Sequence, residues 1–222
     1  MPARPHRFLS RPRLVGIGLT LALLVAMAFN TKFLTPAQLA AVGPKQFDAV
    51  ETAAGLFDKA KAGLPAQASE LAEVLPAIQA SPKAAAAKFK AASPAEGSYV
   101  FRVKTTATVT QATAASLRLK VPGLSAQTPV LVPLSTAING SVLRDAMGFK
   151  FADAPRQTEY QYVGDELKKL IQADLKSSVP APASLKGRKV SVVGVVSVLD
   201  IGSAPPKAKP VNVQPVTVKA LS

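Results

Sequence analysis

The stretch YVFRVKTTATVT, residues 99–110, sets Phe101, Val103, Thr105, Ala107 and Val109 in alternation with Arg102, Lys104, Thr106, Thr108 and Thr110. A period of two puts the first set on one face of a strand and the second on the other, and the β-branched residues suit a half-buried pleated surface. Downstream, Leu117, Leu119 and Val121 alternate with Arg118 and Lys120, and Pro122-Gly123 closes this second strand with a turn. Pro129 to Leu134 reads as a third strand, whose flanking prolines point to an edge position or irregular pairing. Between Gln157 and Leu175 the period changes: Tyr160, Val163, Leu167, Leu170, Ile171 and Leu175 share one helical face, with Asp165, Glu166, Lys168, Lys169 and Asp174 elsewhere. Lys189 to Leu199 and Val211 to Leu221 are two more strands, the latter with Pro215 as a break or bulge, joined by a Pro- and Lys-rich loop from Gly202 to Pro210. The order strand, strand, strand, helix, strand, strand matches the OB-fold, a small Greek-key barrel with its helix between strands three and four. A different barrel or sandwich with one helix fits the same order.

Upstream the pattern is helical. Thr35-Pro36-Ala37-Gln38 supplies a capping hydroxyl, a first-turn proline and a Gln at N3, with Gly43 as the stop. Asp48 and Glu51 open a second helix, in which Val50, Ala53, Ala54, Phe57 and Ala60 recur at helical spacing as far as Gly63. A third apolar face, Leu71, Val74, Leu75 and Ile78, follows Pro65 and is interrupted by Pro76. Ser81-Pro82 opens a fourth run, Lys83 to Ala92, whose alanines fit a helix better than a low-complexity linker. The expected class is α+β, with residues 1–30 a signal peptide or membrane anchor, 31–97 a helical segment and 98–222 an OB-like barrel.

Arg4, Arg7, Arg11 and Arg13 precede an uncharged stretch, Leu14 to Phe29, with no acidic residue among them. This is the basic-then-apolar pattern of an export signal. Its length lies between a signal peptide and a membrane span. Ala26-Met27-Ala28 offers small residues for cleavage after Ala28; left uncut, Leu14 to Phe29 would hold the chain in the membrane. Either way the arginines stay cytoplasmic and the remainder faces the periplasm. Four arginines and no acid argue against a buried core helix. Arg11-Pro12-Arg13 is not a consecutive arginine pair, which gives little support to the twin-arginine route.

The 222 residues are 48% apolar and 18% charged, enough to build a core without metal or disulfide support and too apolar for disorder throughout. There is no Cys, and the single His is His6. Disulfides, thiol nucleophiles, Cys-based metal sites and a lipid-modified cysteine are excluded, as are His-dependent triads in the body of the chain. Gly-x-Gly-x-x-Gly and Gly-x-Ser-x-Gly are absent, and Gly187-Arg188-Lys189 lacks the rest of a phosphate loop. A carboxylate pair such as Asp145 with Asp153 could in principle serve a glycosidase. The expectation is a protein without catalysis, cofactor or metal.

Asn139 to Phe149 joins the third strand to the helix and is dense in polar groups and glycine. Asn139, Arg144 and Asp145, with Gln157, Glu159 and Tyr160 as neighbours, form a candidate ligand or partner site; alternatively, Arg144 and Asp145 hold the loop to the barrel. The net charge is +14, and about +10 after loss of the first four arginines. Arg102, Lys104, Arg118 and Lys120 would share the outer face of the first hairpin and meet an anionic surface such as lipid headgroups. Single-stranded nucleic acid is not an expected partner, because that mode needs aromatic stacking and the chain is 5% aromatic with no Trp.

Thr31-Lys32-Phe33-Leu34-Thr35-Pro36 and Gly43-Pro44-Lys45-Gln46-Phe47-Asp48 resemble the start of a family of predicted periplasmic lipoproteins of unknown function. Leu143-Arg144-Asp145-Ala146, Gly148-Phe149, Gln157, Glu159-Tyr160 and Leu185-Lys186-Gly187 extend the resemblance over nearly the whole exported chain. That family is often encoded beside sugar transporters of the ATP-binding-cassette type, so the resemblance implies an accessory role near carbohydrate uptake, with transporter components as partners. The competing expectation is a structural envelope protein at the membrane with no small ligand.

Overall fold

The computed structural model describes residues 11–30, 35, 47–125, 128–200 and 210–221. The chain divides into two compact units, Met1–Gln46 and Phe47–Ser222. In the first, α1 (Arg11–Asn30) is a 20-residue helix with Leu19, Leu21, Leu23, Leu24 and Phe29 exposed. Its uncharged part, Leu14 to Phe29, rises only about 24 Å, short of a hydrocarbon core of about 30 Å. Among the described residues no helix is long and apolar enough to cross a membrane. The helix expected from Thr35 to Gly43 and the loop from Gly202 to Pro210 fall outside the described residues, Thr35 and Pro210 excepted.

The second unit opens with α2 (Ala49–Gln67), whose first turn is capped by Asp48: its carboxylate accepts from the amides of Val50 at 2.8 Å and Glu51 at 3.1 Å. Ala53, Phe57, Ala60 and Leu64 form its buried stripe. The helix runs past the expected stop at Gly63 because Leu64, 1% exposed, continues that stripe into the core. After the two-residue β1 (Ser69–Glu70), α3 (Leu71–Ala80) buries Leu71, Val74, Leu75 and Ile78. Pro76 lies inside it without ending it, since buried contacts on both sides of the proline fix the helix. α4 (Pro82–Lys88) is shorter than expected and stops ahead of Lys90, which sits at φ 50° in the left-handed region.

β2 (Ala92–Ala95) leads into β3 (Ser98–Ala112), the spine of the sheet, followed by β4 (Ser116–Lys120) and β5 (Val130–Pro133). Two helices then intervene, α5 (Gly140–Ala146) and α6 (Gln157–Ser178), before β6 (Lys189–Leu199), β7 (Val211–Asn212) and β8 (Gln214–Ala220). Strand order is β7-β5-β4-β3-β6-β8, with β1 and β2 also pairing with β3. β7 and β8 are one stretch broken at Val213: β8 runs antiparallel to β6, and β7 runs parallel to β5. That stretch brings the two ends of the sheet together, which curls it into the OB arrangement. The register of β6 and β8 shifts at Gly194, opposite Pro215, where a Cβ would stand 2.3 Å from the Gln214 carbonyl oxygen.

Phe101, Leu117, Leu143, Leu167, Ile171 and Leu175 from the barrel share one buried cluster with Leu64, Leu71 and Val74. The helices before residue 97 and the barrel after it therefore contribute to one continuous core.

Candidate functional site

α5 occupies the segment in which a polar loop was expected. Asn139 caps it, its side-chain oxygen accepting from the Ser141 amide at 3.0 Å, while its own amide donates to the Gln214 side chain at 2.8 Å. Leu143 and Ala146 are buried, and Gly148, at φ 77°, takes the left-handed conformation just beyond the helix end.

Arg144 is 6% exposed. Its Nε and Nη2 donate to Asp145 Oδ1 at 3.0 and 2.9 Å, its Nη1 donates to the Tyr160 carbonyl at 2.9 Å, and its guanidinium lies 3.5 Å from the Tyr160 ring centroid. The Tyr160 hydroxyl donates to Asp145 Oδ1 at 3.2 Å. On its other side Tyr160 stacks on Phe149 at 6.0 Å, with Phe151 edge-on at 5.7 Å, and Phe149 reaches Phe47 at 6.3 Å. Burial pushes the Tyr160 phenol above its ordinary pKa; the Arg144 charge opposes that shift and the Asp145 carboxylate adds to it.

The structure thus brings Arg144, Asp145 and Tyr160 together and gives them to one another. Among the described residues no buried side-chain nitrogen or oxygen lacks a partner. Glu159 pairs with the exposed Arg156, whose hydrogen bond holds its carboxyl below the usual range. Gln157 is exposed on the first turn of α6, apart from this network. Asp153 accepts from the Lys150 amide at 2.7 Å at a 3-10 turn, so both members of the candidate carboxylate pair have structural partners. Among the described residues no group of three or more acidic or His side chains is placed to hold a metal.

The four basic residues expected in one row separate into two groups. Arg102 Nε and Nη2 donate to the Ala146 carbonyl at 3.2 and 2.7 Å, placing a cation at the C-terminal end of α5 where the helix dipole favours it. Lys104 is half-buried, with Val193 on one neighbouring strand and Glu70 on the other. Lys120 stands opposite Thr108. That puts it about 20 Å along the strand from Arg102 at about 3.3 Å per residue. The adjacency of α5 to Arg102 is a long-range contact that no local pattern announces.

Arg118 and Lys120 are exposed and flank a cleft of about 330 Å³. Thr110, Ser125 and Thr128 complete its polar side, and Leu119, Val121 and Pro129 supply apolar surface. This cleft, absent from the sequence reading as a cavity, is formed where the turn after β4 folds back over the strand.

A crystal structure of an OB-fold protein from Thermotoga maritima superposes with a TM-score of 0.66 at 20% identity, over 80% of this chain and 100% of that one. That likeness shows the fold. The comparison with curated proteins gives no match. The model of one family matches residues 20–219, nearly the whole chain. On that match the chain belongs to the family described as predicted periplasmic lipoprotein (DUF2291), and its place is the periplasm, free or held at the inner membrane.

Proposed function

We propose that this protein is an exported, non-catalytic binding or accessory subunit that serves a sugar transporter of the ATP-binding-cassette type. The observation that carries the reading is the cleft beside β4. OB barrels use the face of their second and third strands for ligands, and β4 is the second strand of this barrel. Its two exposed cations stand beside apolar surface, whereas Arg144, Asp145 and Tyr160 of α5 and α6 are occupied by one another. A buried network with its donors satisfied is suited to holding a loop in place, and a polar cleft on an open face is suited to binding.

Thermal and urea unfolding of the exported chain against a panel of mono- and oligosaccharides tests the reading. A ligand present at 100 times its Kd adds about 2.7 kcal/mol to the stability of a protein that binds it. Stabilisation by at least one member of the panel is expected. A flat response across the whole panel would favour a structural envelope protein with no small ligand.

A further inference from the structure

The charge in the β4 cleft is not offset by its walls. Arg118 and Lys120 are two positions apart on one strand, so both side chains leave the same face about 7 Å from each other. Among the described residues neither forms an ion pair, and no acidic residue lines the cleft. Across the strand pair they stand opposite Gln111 and Thr108, both neutral. Elsewhere on the barrel the comparable cation, Arg102, is committed to the end of a helix.

An arginine with free guanidinium donors grips an oxyanion bidentately, and a lysine beside it adds a second positive charge. Thr128, which also lines the cleft, carries a hydroxyl suited to a hydroxylated body. About 330 Å³ lies at the small end of ligand sites, which run from about 300 to 1,000 Å³. Among the described residues no aromatic lines the cleft, so they offer single-stranded nucleic acid no stacking platform. Resting on the binding reading above, we propose that the cleft is an anion site for a small molecule that carries a phosphate or carboxylate group on a hydroxylated body. Arg118 holds the oxyanion and Lys120 neutralises the remaining charge.

Calorimetric titration of the exported chain with glucose 6-phosphate, glucuronate and neutral glucose tests this, alongside sedimentation with phosphatidylglycerol vesicles. At least one of the two anions is expected to bind, more weakly as salt rises, and Arg118→Ala and Lys120→Ala are each expected to weaken it at least tenfold without moving the unfolding midpoint. Anion binding that both variants leave unchanged overturns the site. Neutral glucose bound as well as the anions, with the variants unaffected, overturns the anion assignment while the binding reading stands. Vesicle binding that depends on Arg118 and Lys120, with no soluble anion bound, overturns the small-molecule site in favour of a lipid contact. No binding to any probe overturns the site, and only a flat saccharide panel as well removes the binding reading.

Discussion

Arg144 shows how a residue's neighbours decide its role. A charged side chain that is 6% exposed would be costly alone, and here the Asp145 carboxylate, the Tyr160 carbonyl and the Tyr160 ring offset that cost together. Removing one member of a buried pair strands the other, so Arg144→Ala is expected to destabilise the fold by about 3 kcal/mol in urea unfolding. A loss below about 0.5 kcal/mol, the range of ordinary surface changes, would mean that the network holds nothing. Tyr160 offers a second test. Its phenol is held above the ordinary value, so the folded state keeps the proton more tightly than the unfolded state does. The stability this contributes is whole below the ordinary tyrosine pKa of about 10 and is lost as pH rises through the raised value. In the tyrosinate absorbance titration of the folded protein, one phenol should ionise late and be absent from Tyr160→Phe; an unchanged curve would sink the assignment. Adjacent in sequence, Arg144 and Asp145 were legible as a pair, with Tyr160 as a neighbour. That the Tyr160 ring would lie over the guanidinium was not, because that contact depends on how α5 crosses α6.

That crossing is set by two glycines. A Cβ on Gly140 would stand 2.1 Å from the Gly164 carbonyl oxygen and 2.4 Å from the Lys168 amide, both backbone atoms that cannot rotate aside. The same atom on Gly55, in the middle of α2, would meet nothing within 4 Å. Gly140→Ala is therefore expected to force the helices apart and cost about 3 kcal/mol, the upper end of overpacking. Gly55→Ala should raise stability by up to about 1 kcal/mol through helix propensity alone. Equal effects of the two in denaturant unfolding would show that the close approach does not constrain the helices. Gly140 also explains why α5 was read as a loop: Asn139-Gly140-Ser141 is turn chemistry, and seven residues give helical periodicity only two turns in which to appear. The signals present were Asn139 as a cap, Leu143 and Ala146 three apart, and Gly148 as the stop. The long alternation of β3 and the seven-residue recurrences of α6 were legible because repetition over many residues outweighs any single breaker. Pro76 and Gly63 were read as interruptions for the opposite reason: tertiary burial of Leu75, Ile78 and Leu64 overrides local preference.

Across the whole molecule, the order of elements pointed to the OB topology but fitted another barrel or sandwich as well, because the closing contact was hidden. β7 pairs with β5 over only Val130↔Val211 and Leu131↔Asn212, too short a run to declare itself in sequence. The cleft was hidden for the same reason, since it exists only when the chain after β4 returns over Arg118 and Lys120. Attachment to the envelope is the property of the whole chain that sequence chemistry constrains most. The family is described as predicted lipoproteins and this sequence has no cysteine, so among the described residues α1 is the candidate to hold it at the membrane. The uncharged part of α1 is about 6 Å short of the hydrocarbon core, and Ala26-Met27-Ala28 at its end has the small-x-small pattern that a signal peptidase reads. Cell fractionation with intact mass on the recovered protein is therefore expected to return a soluble periplasmic chain that begins at Phe29, with its net charge lowered from +14 to about +10. A membrane-bound chain that keeps Arg4, Arg7, Arg11 and Arg13 would show instead that α1 anchors it. The cleft would then sample only ligands near the membrane surface.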